Sequence, residues 1–183
     1  MSTDYASLTG DYDLDPVHTT IEFVARHAMI TKVRGGFNDF SGTIHVDGTD
    51  PAKSSVQASL QIASIDTRNE QRNGHLLSGD FFEQDKYPAM SFASTGIAAK
   101  GENEFTLTGD LTVKDVTRSV EFEVEFTGAS VDPYGNRRIG FEGEATLSRK
   151  DFGLTWNAAL ESGGVLVSDK VKVELAISAI KKI

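Results

Sequence analysis

An antiparallel β-barrel is the fold that this sequence predicts. Apolar residues recur with a period of two in about eight separate segments, and short polar turns join those segments. The chain has too little helix to cover the dry face of so large a flat sheet. Closing the sheet into a barrel buries that face and removes its edges. The 183 residues suffice for one domain with a sizeable core and are too few for two ordinary ones.

The first alternating segment is 21–25, with Ile21, Phe23 and Ala25 on one side. A short helical turn is expected around Ala28–Val33, and Gly35-Gly36 is read as a turn. Alternation resumes at 40–46 (Phe40, Gly42, Ile44, Val46) and 56–62 (Val56, Ala58, Leu60, Ile62). Thr67-Arg68-Asn69-Glu70 has the form of a capping box. It predicts one helix over about 68–78, ended by Gly79. Leu76, Leu77, Phe81 and Phe82 then form an apolar cluster suited to plug one mouth of the barrel. The next strands are 90–94 (Met90, Phe92), 105–113 (Phe105, Leu107, Gly109, Leu111, Val113) and 120–126 (Val120, Phe122, Val124, Phe126). Glu121, Glu123 and Glu125 occupy the opposite, solvated face of the third. Asp132-Pro133-Tyr134-Gly135-Asn136 marks a turn. The last strands are 141–147 (Phe141, Gly143, Ala145, Leu147) and 171–177 (Val171, Val173, Leu175, Ile177), and Gly163-Gly164 is read as a turn between them. The inward faces mix phenylalanines with alanines and glycines. That mixture fits a barrel filled by its own side chains and equally one that holds an apolar guest.

Composition excludes several function classes. Lys and Arg number 18 against 27 Asp and Glu, giving a net charge of −9, and the adjacent basic pairs are Arg137-Arg138, Arg149-Lys150 and Lys181-Lys182, each isolated from the others. Nucleic-acid binding and electrostatic attachment to an anionic membrane are therefore not expected. With no cysteine, disulfides, thiolate metal sites and cysteine nucleophiles are ruled out. The first residues lack a basic and apolar leader, and no run approaches the ~20 apolar residues of a membrane span. A cytoplasmic protein without stable membrane insertion is the expectation. No histidines stand at a metal-ligand spacing, and no nucleophile elbow, phosphate loop or dinucleotide fingerprint occurs. No enzyme activity, metal or cofactor is expected.

Polar groups near the expected mouth are few. His27 follows the Phe23/Ala25 face and is expected to point inward, whereas His45, between Ile44 and Val46, is expected outside. Arg68 and Arg72 share a helix face, with His75 one turn on. His27, Arg68, Arg72 and His75 are thus the candidates to meet a ligand's polar head. The bland alternative is a solvated helix face pairing with Glu70 or Asp66. The lone tryptophan, Trp156, is read as a lid, a wedge at the barrel bottom, or a buried structural residue.

An ordered series of motifs then carries a resemblance. It runs Ile21-Glu22-Phe23-Val24-Ala25-Arg26-His27, Val33-Arg34-Gly35-Gly36-Phe37-Asn38-Asp39-Phe40-Ser41-Gly42, Ser64-Ile65-Asp66-Thr67 and Arg72-Asn73-Gly74-His75-Leu76. Asp80-Phe81-Phe82, Tyr87-Pro88, Gly109-Asp110-Leu111-Thr112-Val113, Val116-Thr117, Arg149-Lys150-Asp151-Phe152-Gly153 and Val167-Ser168-Asp169 complete it. The chain resembles the YceI-like family from about Tyr12 to Ile180, which leaves residues 1–11 as a flexible tail before a barrel domain of 12–183. The resemblance implies an all-β, eight-stranded, lipocalin-like antiparallel barrel with a helix over one side. It implies non-catalytic binding of a long-chain isoprenoid lipid, as polyprenol, polyprenyl phosphate or quinone, in an apolar tunnel for transport or storage. Homodimers are common in such proteins.

On this reading the tunnel contacts are Phe23, Ala25, Phe37, Phe40, Ala58, Leu60 and Ile62, then Leu76, Leu77, Phe81, Met90 and Phe92. Leu107, Leu111, Phe122, Val124, Phe126, Phe141, Ala145, Leu147 and Leu175 complete them. Asn73 departs from the family's usual Asp and removes a charge beside the expected mouth. The rival readings are a solid-core barrel acting as a stress or interaction protein, and an enzyme using Arg68, Arg72 and His75.

Overall fold

The computed structural model describes residues 2–161 and 164–183. Gly163 of the expected Gly163-Gly164 turn lies outside the described residues. Alternating sequence becomes strand wherever it was strongest. The eight expected segments appear as β2 (Thr20–His27), β4 (Phe40–Val46), β5 (Ser55–Gln61), β7 (Ala89–Ala99), β8 (Glu104–Val113), β9 (Val116–Val131), β10 (Arg137–Ser148) and β11 (Lys170–Lys181). Three further strands are β1 (Gly10–Leu14), β3 (Thr31–Phe37) and β6 (Ile65–Asp66).

All pairings among these strands are antiparallel, and eight strands close a ring in the order β1-β4-β5-β7-β8-β9-β10-β11, with β1 returning to β11. The ring is the expected eight-stranded barrel, but its membership differs from the expectation. β1 pairs with the end of β11 (Tyr12 opposite Lys181), and β2 pairs with its beginning (Val24 opposite Lys172). β1 and β2 thus share one edge of β11, and β3 and β6 extend the sheet beyond β2.

Residues 5–11, expected in a flexible tail, are folded. Tyr5–Leu8 form a 3-10 turn, and β1 begins at Gly10. Tyr12 is 1% exposed, and its hydroxyl donates to the Leu8 carbonyl at 2.7 Å. The Tyr5 ring lies 5.9 Å from Phe105 and 5.3 Å from Phe126, and its hydroxyl donates to Asn103 Oδ1 at 2.6 Å. Burial of these rings is what orders the segment.

The expected helical turn at Ala28–Val33 is instead a tight β2–β3 hairpin. Ala28 and Met29 take positive φ of 52° and 63°, and the Ile30 amide donates to the His27 carbonyl at 3.1 Å. That is the two-residue turn whose twist matches its flanking strands. Gly35-Gly36, expected as a turn, lies within β3. A Cβ on Gly35 would stand 2.5 Å from Phe23 Cζ, so the absent side chain makes room for the neighbouring ring.

The helix α1 spans Glu70–Leu77. Its cap is Asn69, which accepts from the Arg72 amide at 2.9 Å, and Ser78 rather than Gly79 ends it. Thr67 is not the cap because its hydroxyl is buried and engaged elsewhere. It donates to Asn73 Oδ1 at 2.6 Å and accepts from Arg72 Nε at 2.9 Å. The 132–136 turn forms as expected, with Asp132 Oδ1 accepting from the Tyr134 and Asn136 amides.

Candidate binding cavity

The inward faces of the strands do not meet. They enclose a cavity of about 530 Å³ that runs between the barrel's two ends. At the first end the cavity is lined by Tyr5, Leu8, Val46 and Phe105, and at the second by Phe23, Leu76, Phe81 and Phe82. Between them stand edge-on aromatic pairs, including Phe92–Phe122 at 5.7 Å and Phe126–Phe141 at 5.4 Å between ring centres. Such pairs hold a rigid apolar wall. The residues that bring charge to the lining are Asp47 and Glu102 at the first end, Glu22 and Glu142 in the wall, and Arg149 at the second end.

Of the expected tunnel contacts, Phe23, Ala25, Phe37, Ala58, Leu60, Leu76, Phe81, Met90 and Phe92 line the cavity. So do Leu107, Leu111, Phe122, Val124, Phe126, Phe141, Leu147 and Leu175. Phe40, Ile62 and Ala145 are buried but pack in the wall instead, and Leu77 packs against the same cluster from the helix. Alternation fixes the face of a residue. It does not say whether a neighbour already covers it.

The four expected head-group residues are not brought together at the cavity. His27 is exposed, because β2 has run past the lining by its end and His27 bridges to Val167 there. Arg68 is also exposed. Arg72 folds back on Thr67, with Nε donating to the hydroxyl at 2.9 Å and Nη2 to the carbonyl at 2.5 Å. His75 Nε2 stands 2.9 Å from Asp80 Oδ2, and its ring meets Trp156 edge-on at 4.6 Å. These contacts tie α1 to β6 and to the 153–169 segment. Trp156 is half-buried against the helix and outside the lining. Asn73 supplies an oxygen to Thr67 and sets its amide 3.4 Å from Asp66 Oδ1, where an Asp would meet a like charge. His45 is outside, as expected, with Nδ1 2.7 Å from Asp11 Oδ1.

Sequence reasoning missed Arg149, the one cation in the lining among the described residues. It is 5% exposed. Nε donates to the Ser168 carbonyl at 2.8 Å, Nη1 to those of Leu154 (2.7 Å) and Trp156 (2.8 Å), and Nη2 to that of Val167 (3.2 Å). Among the described residues no carboxylate lies within ion-pair distance, and burial pushes its pKa down. Carbonyl dipoles therefore carry its solvation, and one side chain ties Leu154 and Trp156 to Val167 and Ser168. The signal was present: extending Phe141–Gly143–Ala145–Leu147 by one step lands on Arg149.

The profile of the YceI-like domain matches residues 12–179. The chain belongs to the YceI-like family. A UPF0312 protein of Staphylococcus aureus (strain MSSA476) is 36% identical over 165 residues, which cover 90% of this chain and 94% of that one. The crystal structure of the Campylobacter jejuni YCEI protein is similar at a TM-score of 0.75 and 28% identity, over 86% of this chain and 90% of that one. A polyisoprenoid binding domain from Saccharophagus degradans, implicated in plant cell wall breakdown, shares the fold at a TM-score of 0.70 and 17% identity, over 93% and 98% of the two chains. Among the described residues no His, Asp and Glu side chains converge as a metal cluster would require, and no helix is long and apolar enough to cross a membrane.

Proposed function

We propose that the protein is a non-catalytic carrier or store for a long-chain isoprenoid lipid, whether polyprenol, polyprenyl phosphate or quinone. The observation that carries this reading is the apolar cavity of about 530 Å³ reaching from Tyr5 to Phe82. Its length follows from the strands. β10 and β11 each have 12 residues. At ~3.3 Å per residue and the usual barrel tilt they give a height of roughly 30 Å. That is about the thickness of a bilayer's hydrocarbon core, ~30 Å. The polyisoprenoid ligand named for the Saccharophagus degradans domain supports the same ligand class here. A solid core is disfavoured by the cavity itself. An enzyme using Arg68, Arg72 and His75 is disfavoured because none of the three lines it.

Burial energy alone does not set the affinity. Each CH₂ taken from water contributes ~0.8 kcal/mol. The lipid's alternative home is a bilayer, as apolar as the barrel. Transfer is then near neutral, and tunnel length and width select the guest. The test is native mass spectrometry after incubation with a polyprenol, a polyprenyl phosphate and a quinone in nonionic detergent. One lipid per chain is expected for the wild type. Gly143→Phe should remain empty, since a Cβ there has ordinary 3.5 Å contacts with Leu175 and Val124 and the ring would project into the tunnel. Undiminished loading of both Gly143→Phe and Ala58→Phe would overturn the tunnel reading.

A further inference from the structure

The β2–β3 hairpin ends in an apolar tip. Met29 is 60% exposed and Ile30 78%, and Val165 of the neighbouring segment is 39% exposed. The Ala28 amide donates to the Leu166 carbonyl at 2.7 Å, and a Cβ on Gly164 would stand 3.4 Å from Met29 Sδ, so these residues form one patch. Two consecutive non-glycine residues hold the left-handed conformation there. Asn-Gly would form the same turn with less strain. The β8–β9 turn supplies an internal comparison at the same end of the barrel. Lys114 and Asp115 adopt the same backbone, with φ of 51° and 65°, but carry charges to water. Other exposed apolar residues, Val17, Val131 and Tyr134, lie toward the first end beside Asp15 and Asp132.

Cations ring the tip. Residues 26–34 carry Arg26, Lys32 and Arg34 and no carboxylate, in a chain of net charge −9. Arg26 stands opposite Lys32 in the ladder, and neither is in an ion pair among the described residues. Arg34, one step further from the tip, is neutralised by Glu22 and Glu174 at 3.0 and 2.6 Å. The acidic residues of the neighbouring segment are Asp151, Glu161 and Asp169, and Asp169 is held by the Ser148 hydroxyl and the Lys150 amide. The cluster escapes a search for basic pairs because its members face each other across a hairpin.

The tip also adjoins the cavity. Ala25 and Val167 line it, and His27 bridges to Val167 two residues before Met29. We infer that the β2–β3 tip is a docking surface for an anionic lipid bilayer, placed so that cargo passes between membrane and cavity at this end. Apolar side chains would enter the interface while Arg26 and Lys32 meet lipid phosphates, the arrangement of a peripheral membrane anchor. This rests on the carrier reading, because only a bilayer-borne cargo requires such a contact.

The test is flotation with phosphatidylcholine vesicles, with and without phosphatidylglycerol, together with polyprenol uptake from the vesicles and from nonionic detergent. The wild type should float with the anionic vesicles and less with the neutral ones. Arg26→Gln/Lys32→Gln should weaken that binding about fivefold per charge. Met29→Ser/Ile30→Ser should weaken it further and slow uptake from vesicles at least tenfold, with uptake from detergent unchanged. Lys114→Ser/Asp115→Ser should match the wild type throughout. Wild-type-like flotation and vesicle uptake by both tip variants would overturn the inference. Absence of uptake by the wild type from detergent as well as from vesicles would overturn the carrier reading instead.

Discussion

At the barrel end where β1 begins, a cluster of buried side chains backs the cavity's half-buried lining. Tyr12 and Ala179 are almost inaccessible, Ile139 and Phe126 are buried beside them, and the Tyr5 ring caps the cluster. Nearby, a charged clasp joins three loops and strands. Asp15 accepts from Arg138 Nη1 at 2.6 Å and from His18 Nδ1 at 2.6 Å, and Arg138 Nε donates to Asp132 at 2.8 Å. At the opposite end, α1 has no fully buried residue, and Phe23, Leu76 and Phe82 are partly buried. There an irregular segment is held by Arg149, by the Asn157 side chain on Val167 and by the Ala28 amide on the Leu166 carbonyl. Phe37, Phe81, Phe152 and Leu154 are nevertheless buried there, so the second end differs in being closed by a short helix and an irregular segment, the kind of element from which local opening is drawn. If the protein carries cargo as proposed, the second end is where it would pass.

Removing the staple should have the largest effect. Arg149→Met takes a donor from the Leu154, Trp156, Ser168 and Val167 carbonyls, of which Val167 keeps Asn157 Nδ2, and a loss of about 3–5 kcal/mol in urea unfolding is expected. Tyr5→Ala, at the packed end, removes two aromatic contacts and a hydrogen bond, and should cost about 2–3 kcal/mol. Equal costs for a truncation at either end would erase the proposed difference between them.

The clasp predicts a pH dependence. Burial alone would raise the Asp15 pKa, but hydrogen bonds from Arg138, His18 and the Val17 amide outweigh it and hold it at about 2. A depressed carboxylate stabilises the fold above its unfolded pKa and loses that contribution as pH falls through the folded value. Asp15 should therefore contribute about 2 kcal/mol above pH 4, lost between about pH 4 and pH 2. Thermal melts across that window should show a smaller acid loss for Asp15→Asn. The smallest effect is expected at the hairpin tip. Ala28→Asn/Met29→Gly relieves two left-handed residues and should stabilise by about 1 kcal/mol. A destabilisation there would mean that the tip contributes packing rather than strain.

How much of this was legible in the sequence depends on periodicity. The eight alternating segments all became strands, since a period of two with one dry face leaves few alternatives. β3 was hidden by Gly35-Gly36, where the missing side chain of Gly35 makes room for the Phe23 ring and that of Gly36 leaves space beside the Ile21 carbonyl. β1 was hidden because Asp11 and Asp13 flank Tyr12 in a strand of five residues. Most of the cavity lining followed from alternation. The head-group set did not, because Arg72 and His75 looked free in one dimension and are bound to Thr67 and Asp80 in three. Arg149 was overlooked although its parity pointed inward. A charged residue on a dry face should be tested as a buried staple before it is assigned to solvent.

The central claim is that the cavity carries an isoprenoid chain. Solvent extraction and mass measurement of freshly purified protein, beside native spectra of the same sample, test it most directly. The account predicts one apolar adduct per chain with the mass of a polyprenol, polyprenyl phosphate or quinone, absent from Gly143→Phe. An empty protein that also stays empty after exposure to all three lipid classes would contradict it.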